Sequence, residues 1–449
     1  MRTSQHSELR TAPLFIVLAI AAITALACGG ETEEDPVADM SAPDMAQNPD
    51  QGVTPDQGAE PDQGVEPDQG VAPDQGVEPD QGTEPDQGVE PDQGVEPDMA
   101  QPMGGWTELS QPCGGTKTDA FWFDDRQTGY AGCGTNAQGA GLFKTTDGGR
   151  TWASQRNFMG ARVNDVRRGP DGKLYGAGLD SVDGFQVFQI DDSAPANLKL
   201  VGLYKKSNNA FKSVGQGENI AITQDGQLFV DSLTGTQSAH RAAGATGFEE
   251  LGTFLEEGLA DPDASGRQMS NVKAFNNKFW AVGSLINQPA VVFVPSKLQG
   301  ATYHMKAVDV QPSSRDGELH DLHVWSETSA LVVGFDQSTR FPFISRLDGD
   351  ASVSASWSYI DVADFGIDYQ GGLWNLHVQS DRVVVVGQTI PQNDGFVLFS
   401  EDRGRTWRDI SPRDANGNFA SALMSNVWMF ADGTILAAAE GGQLWRYNP

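Results

Sequence analysis

Between residues 31 and 103 the chain has no lysine, arginine, phenylalanine, tryptophan or tyrosine. Without aromatics this stretch cannot bury enough apolar surface to offset the entropy of ordering it. Without bases it lacks the cationic footprint that nucleic-acid binding needs. Bases are scarce throughout: 30 Lys and Arg stand against 61 Asp and Glu, a formal net charge of −31 over 449 residues. The imbalance is uneven. Residues 31–103 hold 21 acids, whereas residues 104–449 hold 39 acids, 28 bases and all ten tryptophans. The acidity therefore belongs mainly to the N-terminal segment. Cysteine is scarce too, with only Cys28, Cys113 and Cys133. No P-loop, nucleophile elbow or zinc motif occurs, and the sequence implies no cofactor and no metal.

Long apolar runs are equally rare. The main one covers residues 14–26, thirteen residues behind Arg2 and Arg10. It is too short to span a bilayer as a helix but suits the core of a signal peptide. It ends in Ala25-Leu26-Ala27-Cys28-Gly29-Gly30. This resembles the lipobox of bacterial lipoproteins, with Ala25 in place of the commoner Leu. The resemblance implies cleavage of residues 1–27 and lipidation of Cys28, with two or three acyl chains anchoring the chain stably. Gly29, rather than Asp, after the cysteine favours the outer membrane. Ordinary signal-peptidase cleavage near the same place is the alternative. Either way the protein is expected to be exported.

Residues 28–103 read as a stalk. From Pro49-Asp50 to Pro97-Asp98 a Pro-Asp pair recurs every six residues. A six-residue period can mark a β-helix. Here each hexad offers at most one Val, and its Pro cannot donate to a strand ladder. The expectation is a disordered linker of polyproline II character, extended by like charges. Its roughly 70 residues would reach about 220 Å at about 3.1 Å each if fully stretched. Regular spacing by Pro and Gly argues against a dense calcium loop.

Residues 104–449 carry two related octapeptides. One is Thr145-Thr146-Asp147-Gly148-Gly149-Arg150-Thr151-Trp152, the other Ser400-Glu401-Asp402-Arg403-Gly404-Arg405-Thr406-Trp407. Both match Ser/Thr-x-Asp-x-Gly-x-Thr-Trp and resemble the Asp box of BNR-repeat, sialidase-like propellers. The physical content is a tight hairpin, with side chains satisfying turn N–H groups and Gly at positive φ. The resemblance implies a structural role for Thr145, Asp147, Gly149, Thr151, Trp152, Ser400, Asp402, Gly404, Thr406 and Trp407. The octapeptide after Gly129-Tyr130-Ala131-Gly132 is similar also to photosystem II assembly-factor propellers.

A longer repeat surrounds the boxes. Units open with Asp or Asn followed by apolar, variable, apolar. They start at Asp119, Asp165, Asn271, Asp321, Asn375 and Asn426, with a weaker copy at Ser213-Val214-Gly215-Gln216. A small apolar strand follows about ten residues later in each. The expected fold is all-β: a seven-bladed β-propeller of four-stranded antiparallel blades over residues 104–449. The last unit lacks room for its outer strand, and residues 105–109 fit that place, which would close the ring and remove an exposed edge. Cys113 and Cys133 either form a disulfide or remain two buried thiols.

The recurring Asp or Asn most simply accepts a backbone hydrogen bond at the turn into its strand. The residue two positions on shares its side by strand alternation. Round the ring this position reads Phe121, Arg167, Gly215, Lys273, His323, His377 and Trp428. These are candidate ligand-binding groups at the channel mouth, against the alternative of plain packing between blades. His320 and His323 fall on opposite faces of a strand, which argues against a shared metal. A catalytic reading would use Asp119, Asp165 or Asp321 as the paired carboxylates of a secreted glycan-cleaving enzyme of the sialidase-like superfamily. The Arg-Ile-Pro implied by that resemblance is absent. The favoured reading is a monomeric, membrane-anchored binding or scaffold module for a glycan, peptide or envelope protein.

Overall fold

Four consecutive valines, Val383 to Val386, are all fully buried although they lie in one strand. Alternation explains this. Val383 and Val385 face one apolar cluster with Leu331, Val333 and Leu373. Val384 and Val386 face another with Met424, Val427 and Met429. A sheet packed on both faces by neighbouring sheets reads as a continuous apolar run rather than an alternating one. The core thus consists of layers between sheets.

The computed structural model describes residues 105–133, 141–157, 162–180, 184–190, 199–202, 217–232, 239–244, 249–250, 255–256, 268–284, 290–299, 302–310 and 316–449. The apolar segment at 14–26, Cys28, the hexad stalk and the expected boundaries at 27 and 103 lie outside the described residues. So does the unit expected at Ser213 to Gln216, including Gly215.

The strands form sheets in chain order. The first contains β2–β5 (Thr118–Phe123, Gly129–Cys133, Gly141–Thr145, Ala153–Asn157). The second contains β6–β9 (Arg162–Arg168, Leu174–Asp180, Gly184–Ile190, Lys199–Gly202), and the third β10–β13 (Gly217–Ile222, Leu228–Ser232, Ala239–Arg241, Glu249–Glu250). Next come β14–β18 (Leu255–Glu256, Gln268–Phe275, Lys278–Ser284, Val291–Gln299, Thr302–Asp309). Then follow β19–β22 (Gly317–Ser326, Ser329–Asp336, Pro342–Asp348, Trp357–Ile360) and β23–β26 (Gly371–Gln379, Arg382–Thr389, Gly395–Ser400, Arg408–Asp409). The last sheet joins β27–β29 (Met424–Met429, Ile435–Ala439, Leu444–Tyr447) to β1 (Trp106–Leu109).

Six of these are the four-stranded antiparallel blades that the repeat implies. The expectation of seven such blades needs correction. The sheet of β14–β18 has five strands, and its outermost, β14, runs parallel to β18. The reason is the long connection between β13 and β15, which leaves enough chain to lay an extra strand along an otherwise open edge. The inner strands β2, β6, β10, β15, β19, β23 and β27 each pack on the next, and β27 packs back on β2.

β1 and β29 close the circle. Trp106 pairs with Tyr447 and Leu109 with Leu444. The Trp106 ring lies 5.2 Å from that of Tyr447, and its Nε1–H donates to the Ile410 carbonyl of the preceding blade. Cys113 and Cys133 are disulfide-bonded, tying the segment after β1 to β3 of the first blade.

The two octapeptide turns carry the same hydrogen bonds. Thr145 and Ser400 Oγ accept from the N–H of Gly149 and Gly404, at 2.9 and 2.8 Å. Asp147 Oδ1 accepts from the N–H groups of Arg150 and Thr151, both at 2.9 Å, and Oδ2 from the Thr151 hydroxyl at 2.6 Å. Asp402 does the same with Arg405 and Thr406. Gly149 and Gly404 have φ of +88° and +79°. A Cβ there would stand 2.9 Å from Leu436 or Leu331, on the second strand of the preceding blade. Each turn is thus both a hairpin and a contact between blades.

Burial raises the Asp147 carboxyl, but the hydrogen bonds from Thr151, Thr145 and Arg150 outweigh it and lower it from 3.8 to about 2. A depressed carboxyl stabilises the fold above its unfolded value, and that stabilisation is lost as pH falls through the folded one. Thermal unfolding followed by circular dichroism should show stability falling between about pH 4 and pH 2. Asp147→Asn should flatten part of that fall; an unchanged acid limb would contradict this role.

Candidate binding site at the channel mouth

Each inner strand breaks register with its neighbour near its start. The breaks lie between Val163 and Asp165, Met269 and Asn271, Leu319 and Asp321, Leu373 and Asn375, and Met424 and Asn426. A bulge of this kind locally twists the strand and re-aims the following side chain. The Asp or Asn after each bulge then reaches the next blade.

Asp165 Oδ1 accepts from the Val166 N–H at 2.8 Å, and Oδ2 from the N–H of Ile220 in the next inner strand at 3.1 Å. Asp321 repeats this with Leu322 at 2.8 Å and Leu376 at 3.0 Å. Asn375 Oδ1 accepts from Val427 N–H at 3.3 Å. Asn219 and Asn426 donate to the bulge carbonyls of Ser270 and Asp119, at 3.0 and 2.6 Å. Asn271 donates to Asp321 Oδ1 at 2.9 Å. The recurring position therefore latches one blade to the next, a wider role than satisfying its own turn.

This geometry corrects the sequence reading in two places. In the first blade the break falls between Thr118 and Ala120, so Asp119 is the bulged residue. Trp122, opposite Tyr130, occupies the position that Arg167 holds opposite Tyr175. Phe121 also lines the central cavity, but it is 2% exposed and stacked 6.2 Å from Trp152. In the third blade the described inner strand is β10, with Asn219-Ile220-Ala221-Ile222 in the place expected of Ser213 to Gln216. Ala221 is the residue that shares the position of Arg167. The signal Asn-apolar-x-apolar was present there in the sequence.

A cavity of about 430 Å³ is lined by residues of all seven inner strands. Its lining includes Trp122, Arg167, Lys273, His323, His377 and Trp428. A second cavity of about 240 Å³ shares Trp122, Arg167, Lys273 and His323, with Ile220, Ala221 and Ile222 in its wall.

The two cations have buried partners. Arg167 Nη1 lies 3.1 Å from Asp165 Oδ1, and Lys273 Nζ lies 3.0 Å from Asp321 Oδ1. The carboxylate side chains are 5% and 0% exposed, whereas Arg167 and Lys273 are 26% and 24% exposed. The negative charges are thus buried, and the positive ones are the more exposed partners. Desolvation raises the Asp165 carboxyl, against the pull of Arg167 and Lys273. Burial lowers His377 to about 3, helped by His323, Arg167 and Lys273. Burial lowers His323 to about 4, helped by Lys273 and Arg403. Both imidazoles are thus neutral at pH 7. His377 Nδ1 accepts the Met429 N–H at 3.2 Å, and its ring lies 4.2 Å from Trp428.

Of the residues of the catalytic reading, Asp119 and Asp165 line the same cavity. Asp165 and Asp321 have both oxygens engaged by backbone N–H groups. Asp119, on its bulge, pairs with Lys117 at 3.0 Å. The His320 ring lies 4.3 Å from that of Trp374, tilted by 39°, and His323 lies 4.8 Å from Trp325.

A scan against protein-family models finds no match, and a search of curated proteins finds none. Solved structures do match. YCF48 from Cyanidioschyzon merolae is 14% identical, with a TM-score of 0.53 over 77% of this chain and 99% of that one. YCF48 bound to D1 peptide is 16% identical, with a TM-score of 0.51 over 77% and 97%. The chain is a β-propeller. A third neighbour, the GH74 xyloglucanase from Xanthomonas campestris, is 15% identical, with a TM-score of 0.52 over 76% of this chain and 53% of that one. At these identities the propeller fold is what is shared.

Proposed function

We propose that this propeller is a binding module that captures a glycan, peptide or protein partner at its channel mouth, held to the cell envelope by a lipid on Cys28 and the acidic stalk of residues 28–103. One observation carries the reading: the inner strands bring two cations, two neutral imidazoles and two indoles to one cavity of about 430 Å³. Concave sites with a few convergent polar groups are where ligands bind. The neighbours support the choice of partner class, since one YCF48 structure holds a D1 peptide and another neighbour is a xyloglucanase. The lipobox and outer-membrane placement rest on residues 25–30. The Asp-box reading of the octapeptides is supported by their shared hydrogen bonds. As the latching Asp and Asn side chains hold the ring together, the residue two positions on is left for recognition.

The test is an array of glycans and peptides probed with the full chain and with Arg167→Ala/Lys273→Ala/His377→Ala. Signal at specific array members should fall at least about tenfold in the variant. Equal signals from both proteins would sink the channel-mouth site.

A further inference from the structure

The mouth is polarised in a way that narrows its ligand. Round the ring, Arg167, Ala221 and Lys273 come from consecutive inner strands. His377, Trp428 and Trp122 come from the three consecutive strands on the opposite side. One arc is therefore cationic, with a methyl group between its two charges, and the other is aromatic.

The cationic arc has a notch. Ala221 replaces the larger side chain found at this position in every other inner strand, and the cavity of about 240 Å³ lies against it, between Arg167 and Lys273. Each cation uses only part of its donors on its buried carboxylate. A guanidinium has five N–H groups and an ammonium three, so several remain for a ligand. Asp165 lines the larger cavity and Asp321 does not, but both side chains are buried and backbone N–H groups spread their charge.

The aromatic arc offers faces but few hydrogen bonds. His377 and Trp428 rings lie 4.2 Å apart, and Trp428 and Trp122 rings 5.7 Å apart. The Trp122 indole N–H is already given to Asp124 Oδ1 at 2.8 Å, and His377 Nδ1 is taken by Met429. A sugar acid would bring several hydroxyls to this arc and leave them poorly partnered, at a cost for each. A flat apolar body meets no such cost and gains stacking.

We infer that the mouth selects a planar acid: a ligand group with an aromatic or conjugated body, its carboxylate in the Ala221 notch between Arg167 and Lys273 and its flat face on Trp428, with the Trp122 ring set edge-on to that indole. The inference rests on the binding reading above and names the chemistry recognised there.

Isothermal titration calorimetry on the full chain tests it, with 2-naphthoate, 2-naphthalenemethanol, glucuronate and an acidic hexapeptide as probes. Naphthoate should bind at least about tenfold more tightly than the uncharged alcohol. Lys273→Gln and, separately, Ala221→Leu should each weaken naphthoate at least about tenfold. Thermal unfolding of both variants checks that they are folded; if one fails, the other decides. Equal affinity for acid and alcohol, insensitivity to both substitutions, or no naphthoate binding would overturn the inference. Glucuronate or the hexapeptide binding in its place, and losing affinity in Lys273→Gln, would overturn the planar acid while keeping the binding site. If none of the four probes binds, the planar acid falls, and the array experiment still judges the binding module on its own.

Discussion

Replacing Asp321 with alanine is expected to lower the free energy of unfolding by about 3–5 kcal/mol. Its carboxylate is fully buried. It accepts from the N–H groups of Leu322 and Leu376 and from the Asn271 amide, and it faces Lys273 at 3.0 Å. Alanine would strand two backbone N–H groups, an amide and an ammonium in the wall of the ring. Each buried group left unpaired costs about 1–3 kcal/mol, and more when charged. Asp321→Asn should lose less, because it keeps one acceptor while giving up the charge. Urea unfolding followed by tryptophan fluorescence measures both. A loss below about 1 kcal/mol for alanine would mean that the latch between blades carries little of the stability.

Removing the disulfide with Cys113→Ser and Cys133→Ser should cost about 3 kcal/mol, from the loop entropy of a crosslink spanning a separation of 20 residues. The effect should be local before it is global. β1 holds the last blade through four register pairs with β29, and the disulfide fixes the segment that follows it to the first blade. Without the crosslink, β1 can leave β29 with less of the ring disturbed, exposing the edge of the last blade. Limited proteolysis should therefore cut near Trp106–Leu109 before the ring unfolds. Cleavage at the same rate with and without the crosslink would contradict that order of events.

Much of the fold was legible because blade packing imposes a simple code. The small apolar second strands, such as Leu331 to Gly334 and Val383 to Val386, are buried on both sides and so stand out as unbroken runs. The octapeptides marked two hairpins, and the missing outer strand of the last unit pointed to residues 105–109. What failed to show was register. Asp119 fits the unit's opening as well as Asp165 does, yet one places its acid on the bulge and the other after it. The difference depends on the facing strand, where Gly132 pairs with Ala120 and Ala177 with Asp165. That one-residue shift puts Trp122 rather than Phe121 in register with Arg167, since a slip of one turns each side chain to the other face.

The third blade was missed for a different reason. Ser213-Val214 copies the spacing of the other units, whereas Asn219-Ile220-Ala221-Ile222 carries their chemistry and forms the strand. The latch itself was not legible. Asp165 to Ile220 and Asp321 to Leu376 are contacts 55 residues apart, and nothing in a strand's own sequence says which neighbour will present an N–H. The parallel strand β14 is likewise set by tertiary space. Its two residues, Leu255 and Glu256, carry no strand signal.

On the proposed reading labour is divided along one strand: the Asp or Asn holds the ring, and the residue two positions on meets the ligand. The most direct test measures stability and ligand capture side by side for Asn375→Ala and Lys273→Gln, using the best-bound member of the glycan and peptide array and temperatures at which both variants are folded. Asn375→Ala should unfold more easily, by about 1 kcal/mol, with capture unchanged. Lys273→Gln should lose capture at least about tenfold. Equal loss of capture in the two variants, or full capture by Lys273→Gln, would contradict the account.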